Sequence, residues 1–216
     1  MTSRFDERPQ TVGEELANSL SHGFGLLLAV ASVPILVTFA AERGSAANVV
    51  GACVFSVTAM LLYFASTMYH ALPAGPAKRV FHVLDHSAIY LFIAGSYTPF
   101  TLGVLSGAWG WTLFGLVWGL AAVGVLLKGF DRLRHPGWST GLYVAMGWLV
   151  LIAAAPLIQH VATAGLLWLL AGGLAYTAGA VVFTFDSKLR YAHFVWHLFV
   201  LGGTTCHFFA ALGYAS

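Results

Sequence analysis

Val80–Leu127 reads VFHVLDHSAIYLFIAGSYTPFTLGVLSGAWGWTLFGLVWGLAAVGVLL, and Asp85 is its only Asp, Glu, Lys or Arg. A helix needs roughly 20 predominantly apolar residues to cross a bilayer. This stretch is too long for one crossing and must turn back, and Gly103, Gly107 and Gly110 around Ser106 mark the break. Reading outward, Leu16–Ala41 and Gly44–Ala77 each hold one span, the second with residues left for a loop around Pro73 and Pro76. His135–Phe185 is again double, divided near Gln159 and His160, and Tyr191–Ser216 holds a last span. The expectation is an all-α membrane protein: a bundle of seven transmembrane helices forming one domain over residues 16–216, preceded by a polar tail over residues 1–15.

Composition agrees with lipid as the solvent. Of 216 residues, 59 % are apolar and 8 % charged, against about 25 % charged in soluble domains, and the mean hydropathy is +0.81. Cytoplasmic loops retain Lys and Arg. With seven spans, Arg4, Arg8, Lys78, Arg79, Lys128, Arg132, Arg134, Lys188 and Arg190 fall on one side and only Arg43 on the other. The N-terminus is therefore expected in the cytoplasm and the C-terminus outside. The pI near 8.6 follows from this loop bias, and no nucleic-acid partner is expected.

The first span is too long for a signal-peptide core of about 7–15 residues and is expected to remain. Cys53 and Cys206 lie within spans and read as small core residues with no disulfide. Gly115 and Gly119 form a small-xxx-small pair suited to close helix packing. Trp109, Trp111 and Trp138 sit where interfacial aromatic belts are expected. No internal repeat or second domain is evident.

Ionisable groups inside spans cost free energy unless they have a partner, a cavity or a metal. Here they gather at one end. His22 starts the first span, His70 ends the second, Asp85 opens the third, and His193 and His197 open the seventh. Each is within about 12 Å of the cytoplasmic end of its helix at 1.5 Å per residue. His193 and His197 are spaced i,i+4 and share a face, which lets two imidazoles grip one ion. Ser66 and His70 have the same spacing, placing a hydroxyl one turn from an imidazole.

Several imidazoles with one carboxylate favour zinc over Mg²⁺ or Ca²⁺, which need more oxygen ligands. Three imidazoles and an open position make a site that activates water. Asp85 is then either a fourth ligand or the group that accepts a proton, the second role being preferred; its structural alternative is a salt bridge or a hydrogen bond to a neighbouring helix, with Arg79 nearby. His82 and His86 form a rival i,i+4 pair flanking Asp85. His135, His160 and His207 read as ordinary interfacial or backbone-bonded histidines.

The runs Glu15-Leu-Ala-Asn18 with Ser21-His22, Ser66-Thr-Met-Tyr-His70, Asp85-His-Ser-Ala-Ile-Tyr-Leu-Phe-Ile-Ala-Gly-Ser-Tyr-Thr-Pro99 and His193-Phe-Val-Trp-His197 together resemble the hemolysin III family, the bacterial branch of the progestin and adiponectin receptor (PAQR) superfamily. The resemblance implies a zinc ion held by His70, His193 and His197, with Asp85 near a water on the metal. It also implies polar support around the site from Asn18 and His22. His82 and His86 are not part of the superfamily motif.

Eukaryotic relatives and the similar alkaline ceramidases imply hydrolysis of a lipid amide, with Asp85 and Ser66 as the catalytic side chains and membrane lipids as the partners. A role in lipid homeostasis would follow. Two other classes stand beside it. One is a sensor of membrane state, in which zinc staples two helices without turnover; the other is the cytolytic pore that the family name implies. Pore formation is disfavoured because polar residues gathered at one end offer no continuous lining across the bilayer.

Overall fold

The computed structural model describes residues 8–105, 107–132 and 136–215, apart from the side chain of Pro136. Arg4, Ser106, Arg134, His135 and Ser216 lie outside the described residues. Those described are helical, without strands: α1 (Val12–Arg43), α2 (Ala46–Ala71), α3 (Pro76–Leu102), α4 (Ala108–Gly129), α5 (Pro136–Gly147), a 3₁₀ turn (Leu149–Ala153), α6 (Ala154–His160), α7 (Thr163–Phe183) and α8 (Ala192–Tyr214).

The starts of these helices follow from local chemistry. Thr11 caps α1 in a capping box: its hydroxyl accepts from the Glu14 N–H at 3.3 Å, and the Thr11 N–H donates to the Glu14 carboxylate at 2.9 Å. Ser45 and Asn48 repeat the device on α2, and Pro76 opens α3 at a position where its missing N–H costs nothing.

Among the described residues, six helical segments are long and apolar enough to cross a membrane: Val12–Arg43, Ala46–Ala71, Ala108–Gly129, Gly137–His160, Thr163–Phe183 and Ala192–Tyr214. The remaining long helix, α3, has the length, at 27 residues, but a more polar composition. Its polarity is turned inward, because Asp85, Ser87, Ser96, Thr98 and Thr101 are all buried. It packs against α2 on one side and α4 on the other, and also reaches α5 and α8. Contacts run α1–α2–α3–α5–α7–α8 and return to α1, with α4 held against α3 and the 3₁₀ turn. Apolar side chains such as Leu27, Val30, Leu61, Val123 and Leu174 point outward from the bundle, as a lipid solvent requires.

The segment expected as a single helix before Gln159 is broken into α5, the 3₁₀ turn and α6. Tyr97 of α3 accounts for the break. Its hydroxyl lies 2.9 Å from the Met146 carbonyl, 2.7 Å from that of Gly147 and 3.0 Å from the Val150 N–H, which donates to it. A side chain inserted into the ladder satisfies backbone groups that hydrocarbon could not.

Candidate metal centre

α1, α2, α3 and α8 meet at the end of the bundle formed by the starts of α1, α3 and α8 and the end of α2. The pairing is direct: Glu15 of α1 reaches His70 of α2 and Lys78 of α3, and Glu14 of α1 reaches the Tyr191 N–H just before α8. The α1 face that looks into this junction carries Glu14, Asn18, Ser21, His22 and Gly25, all buried and recurring at helical spacing.

One ring nitrogen from each of His70, His193 and His197 lies within 4.8 Å of the other two. The ring centroids are 4.7 Å apart for His193–His197, 4.9 Å for His70–His193 and 5.2 Å for His70–His197, and all three pairs are edge-on. The i,i+4 spacing on α8 supplies two of these rings, and the end of α2 brings the third.

Each Nδ1 already has an acceptor. That of His70 is 2.7 Å from a Glu15 carboxylate oxygen, that of His193 is 3.0 Å from Asp186, and that of His197 is 3.2 Å from the Asn18 carbonyl and 3.1 Å from the Ser21 hydroxyl. A proton on each Nδ1 satisfies these contacts and leaves each Nε2 with a free lone pair, the assignment being made from the network. Among the described residues, the buried His70 Nε2 has no hydrogen-bond partner. A buried nitrogen in that state is costly unless something coordinates it.

These donors fit a zinc ion. In a tetrahedral site, bonds of about 2.0–2.1 Å separate the nitrogens by roughly 3.4 Å, so each imidazole would need to move inward by no more than about 1 Å. The carboxylate–imidazole pairs Glu15–His70 and Asp186–His193 have the form that orients metal-bound histidines.

Asp85 is buried on α3 but does not belong to the cluster of converging ligand atoms. It faces Ser66 of α2. The Ser66 hydroxyl in turn lies 2.7 Å from His22 Nδ1, and the His22 ring stacks on His197 at 3.4 Å with 8° between planes. Asn18 contributes its carbonyl to His197 and brings its side-chain nitrogen within 3.5 Å of His70 Nδ1. Among the described residues Asp85 makes no ion pair with Arg79, and His86 Nδ1 lies 3.9 Å from its carboxylate. His86 donates to its own helix at the His82 carbonyl, and among the described residues this rival pair joins no group of three ligands.

Two carboxylates of the site escaped sequence reasoning. In the sequence Glu15 stands out only as part of a motif, and Asp186, in the loop after α7, carries no motif at all. The available signal was slight: an acid seven residues before a histidine, whose reach depends on the path of the loop.

Residues 10–208 match the family profile described as Haemolysin-III related. The chain is 43 % identical over 214 residues to Hemolysin-3 of Bacillus cereus, covering 99 % of this chain and 97 % of that protein. It is 42 % identical over 204 residues to the Hemolysin-3 homolog of Bacillus subtilis, covering 94 % and 95 %. Human monocyte to macrophage differentiation factor is a more distant relative, 27 % identical over 213 residues, covering 94 % of this chain and 85 % of that one.

Proposed function

The chain belongs to the haemolysin-III related family and is a multi-pass bacterial membrane protein, and from that premise we propose that it is a zinc-dependent hydrolase of lipid amide bonds. The observation that carries this reading is the convergence of His70, His193 and His197, each with Nδ1 engaged by an acceptor. In this reading α3 is a crossing and α5, the 3₁₀ turn and α6 together make another, giving seven with the N-terminus inside. The bias of Lys and Arg to the end that carries the histidines supports that orientation, which puts the site at inner-leaflet headgroup depth, where a lipid presents an amide while its chains stay in hydrocarbon.

A zinc ion held by the three imidazoles supplies Lewis acidity towards an amide carbonyl and towards water. The protein's own groups do the rest. Asp85, lying apart from the ligand atoms, takes the proton of the attacking water at a carboxylate oxygen and returns it to the departing amine nitrogen. Ser66 holds the Asp85 carboxylate towards the site and is itself fixed by His22. Glu15, Asp186 and the Asn18 carbonyl hold the imidazoles in the tautomer that leaves Nε2 free.

The same ligands split between α2 and α8 also support a sensor in which the metal staples those helices. Metal analysis beside turnover separates the two. Detergent-purified protein is expected to carry about one zinc per chain, lost in His70→Ala, His193→Ala and His197→Ala. Asp85→Asn is expected to keep the metal and abolish release of fatty acid from ceramide-like amides in mixed micelles. Metal-free wild type after zinc reconstitution would sink the metal reading; loaded protein that turns over no lipid amide would leave the sensor.

A further inference from the structure

Glu14 lies beside the motif residue Glu15 but points to a different helix. Its carboxylate is buried at 2 % exposure and accepts from the two terminal nitrogens of the Arg8 guanidinium, from the Thr11 N–H and hydroxyl, and from the Tyr191 N–H at 2.8 Å. The Thr11 contacts are an ordinary capping box. The Tyr191 contact is not local, since 177 residues separate the partners.

Tyr191 stands directly before α8 with φ 59°, in the left-handed region that a side chain other than Gly, Asn or Asp rarely adopts. Its carbonyl accepts the first bond of α8, from the Val195 N–H at 3.0 Å. His193 follows two residues later and His197 one turn after that. The direction in which α8 sets out therefore depends on a strained residue held in place by a carboxylate of α1.

We infer that Glu14 is a positioning residue for the metal centre: with Arg8 as its counter-ion, it pins the left-handed Tyr191 and so aims His193 and His197 at the nitrogen that Glu15 aims from α2. Two consecutive acids on α1 thereby fix the two ligand-bearing helices separately. The purpose of the clamp rests on the proposed metal site; its mechanical part does not.

The test compares wild type, Glu14→Ala and Glu14→Gln in the full chain by two readouts. Hydrogen exchange by mass spectrometry reports the first turn of α8 without metal. Zinc affinity comes from competition with a chromophoric chelator, and the visible spectrum of the cobalt-substituted protein reports ligand geometry. Glu14→Ala is expected to speed exchange over residues 191–197 with the last turns of α8 unchanged, to weaken zinc at least tenfold and to alter the cobalt spectrum. Glu14→Gln keeps an acceptor for the Tyr191 N–H and is expected to retain most of the affinity.

Adding Tyr191→Gly to Glu14→Ala, which removes the left-handed demand, is expected to restore part of it; a role confined to capping α1 would give no such rescue. Wild-type exchange at the start of α8 together with wild-type affinity in Glu14→Ala overturns the inference. If wild type itself binds no metal, the hydrolase reading fails and exchange alone decides the clamp. If Glu14→Ala does not fold, Arg8→Ala, which strips the counter-ion and leaves the carboxylate, is measured by the same readouts against the same expectations.

Discussion

Replacing Glu15 by alanine removes the acceptor 2.7 Å from His70 Nδ1 and leaves one polar neighbour, the Asn18 side-chain nitrogen at 3.5 Å. That neighbour donates. With the carboxylate gone, the favoured tautomer of His70 carries its proton on Nε2, the atom that would face the proposed metal, while Nδ1 accepts from Asn18. Binding zinc then requires moving that proton and breaking the new bond. Loss of an outer partner of a metal-bound histidine costs about 10–100-fold in affinity, or about 1.4–2.7 kcal/mol. Because the His70 side chain is only 1 % exposed, water does not substitute for the acceptor, and the upper part of that range is expected. The assay is chelator competition at neutral pH on folded, detergent-purified protein, which needs no substrate. Asn18→Asp in the Glu15→Ala background restores an acceptor and is expected to recover about tenfold. A Glu15→Ala protein with wild-type zinc affinity, or a double variant no better than the single one, would refute the tautomer argument.

Asp186→Asn is expected to weaken zinc by about tenfold or less, a smaller effect than at Glu15, because the His193 side chain is 12 % exposed and water can take the place of the carboxylate; the same chelator competition measures it. Tyr97→Phe is expected to lower stability by about 1–3 kcal/mol, since it strips partners from the Met146 and Gly147 carbonyls and the Val150 N–H; thermal melts in detergent check it, with zinc content unchanged. Removal of zinc by chelation is expected to lower the melting temperature of wild type and to leave that of His197→Ala unmoved.

The bundle was legible because charge is so sparse that its positions cut the chain near the real helix ends. Of the glycines at the expected break, Gly103 and Gly107 fall between the end of α3 at Leu102 and the start of α4 at Ala108, while Gly110 lies in the first turn of α4, and the division near His160 falls between α6 and α7. The interruption at Trp148 was not legible, since it depends on Tyr97, some fifty residues earlier in the chain. At the site, the placing of His70, His193 and His197 at one end followed from counting residues from the loops. Their orientation did not. Whether Glu15 meets His70 or Lys78 depends on packing, and it meets both. The stack of His22 on His197 likewise required α1 to run beside α8, which no local pattern announces.

The division of labour among helices follows from these contacts. α1 gives no atom to the ligand cluster, yet Glu14, Glu15, Asn18, Ser21 and His22 each touch a ligand, its helix or a partner of Asp85. These five positions fall on neighbouring turns of one face, so a single rigid helix sets the spacing between α2, α3 and α8. Loop contacts alone would leave His70 on α2 and His193 and His197 on α8 without a common reference; α1, whose first turn is locked by the Thr11 box, packs against both helices and supplies one. The polar face of α1, which hydrocarbon would penalise, is thereby consumed by the site it organises. Metal affinity should therefore respond to changes on α1 as strongly as to changes beside the ligands on α8.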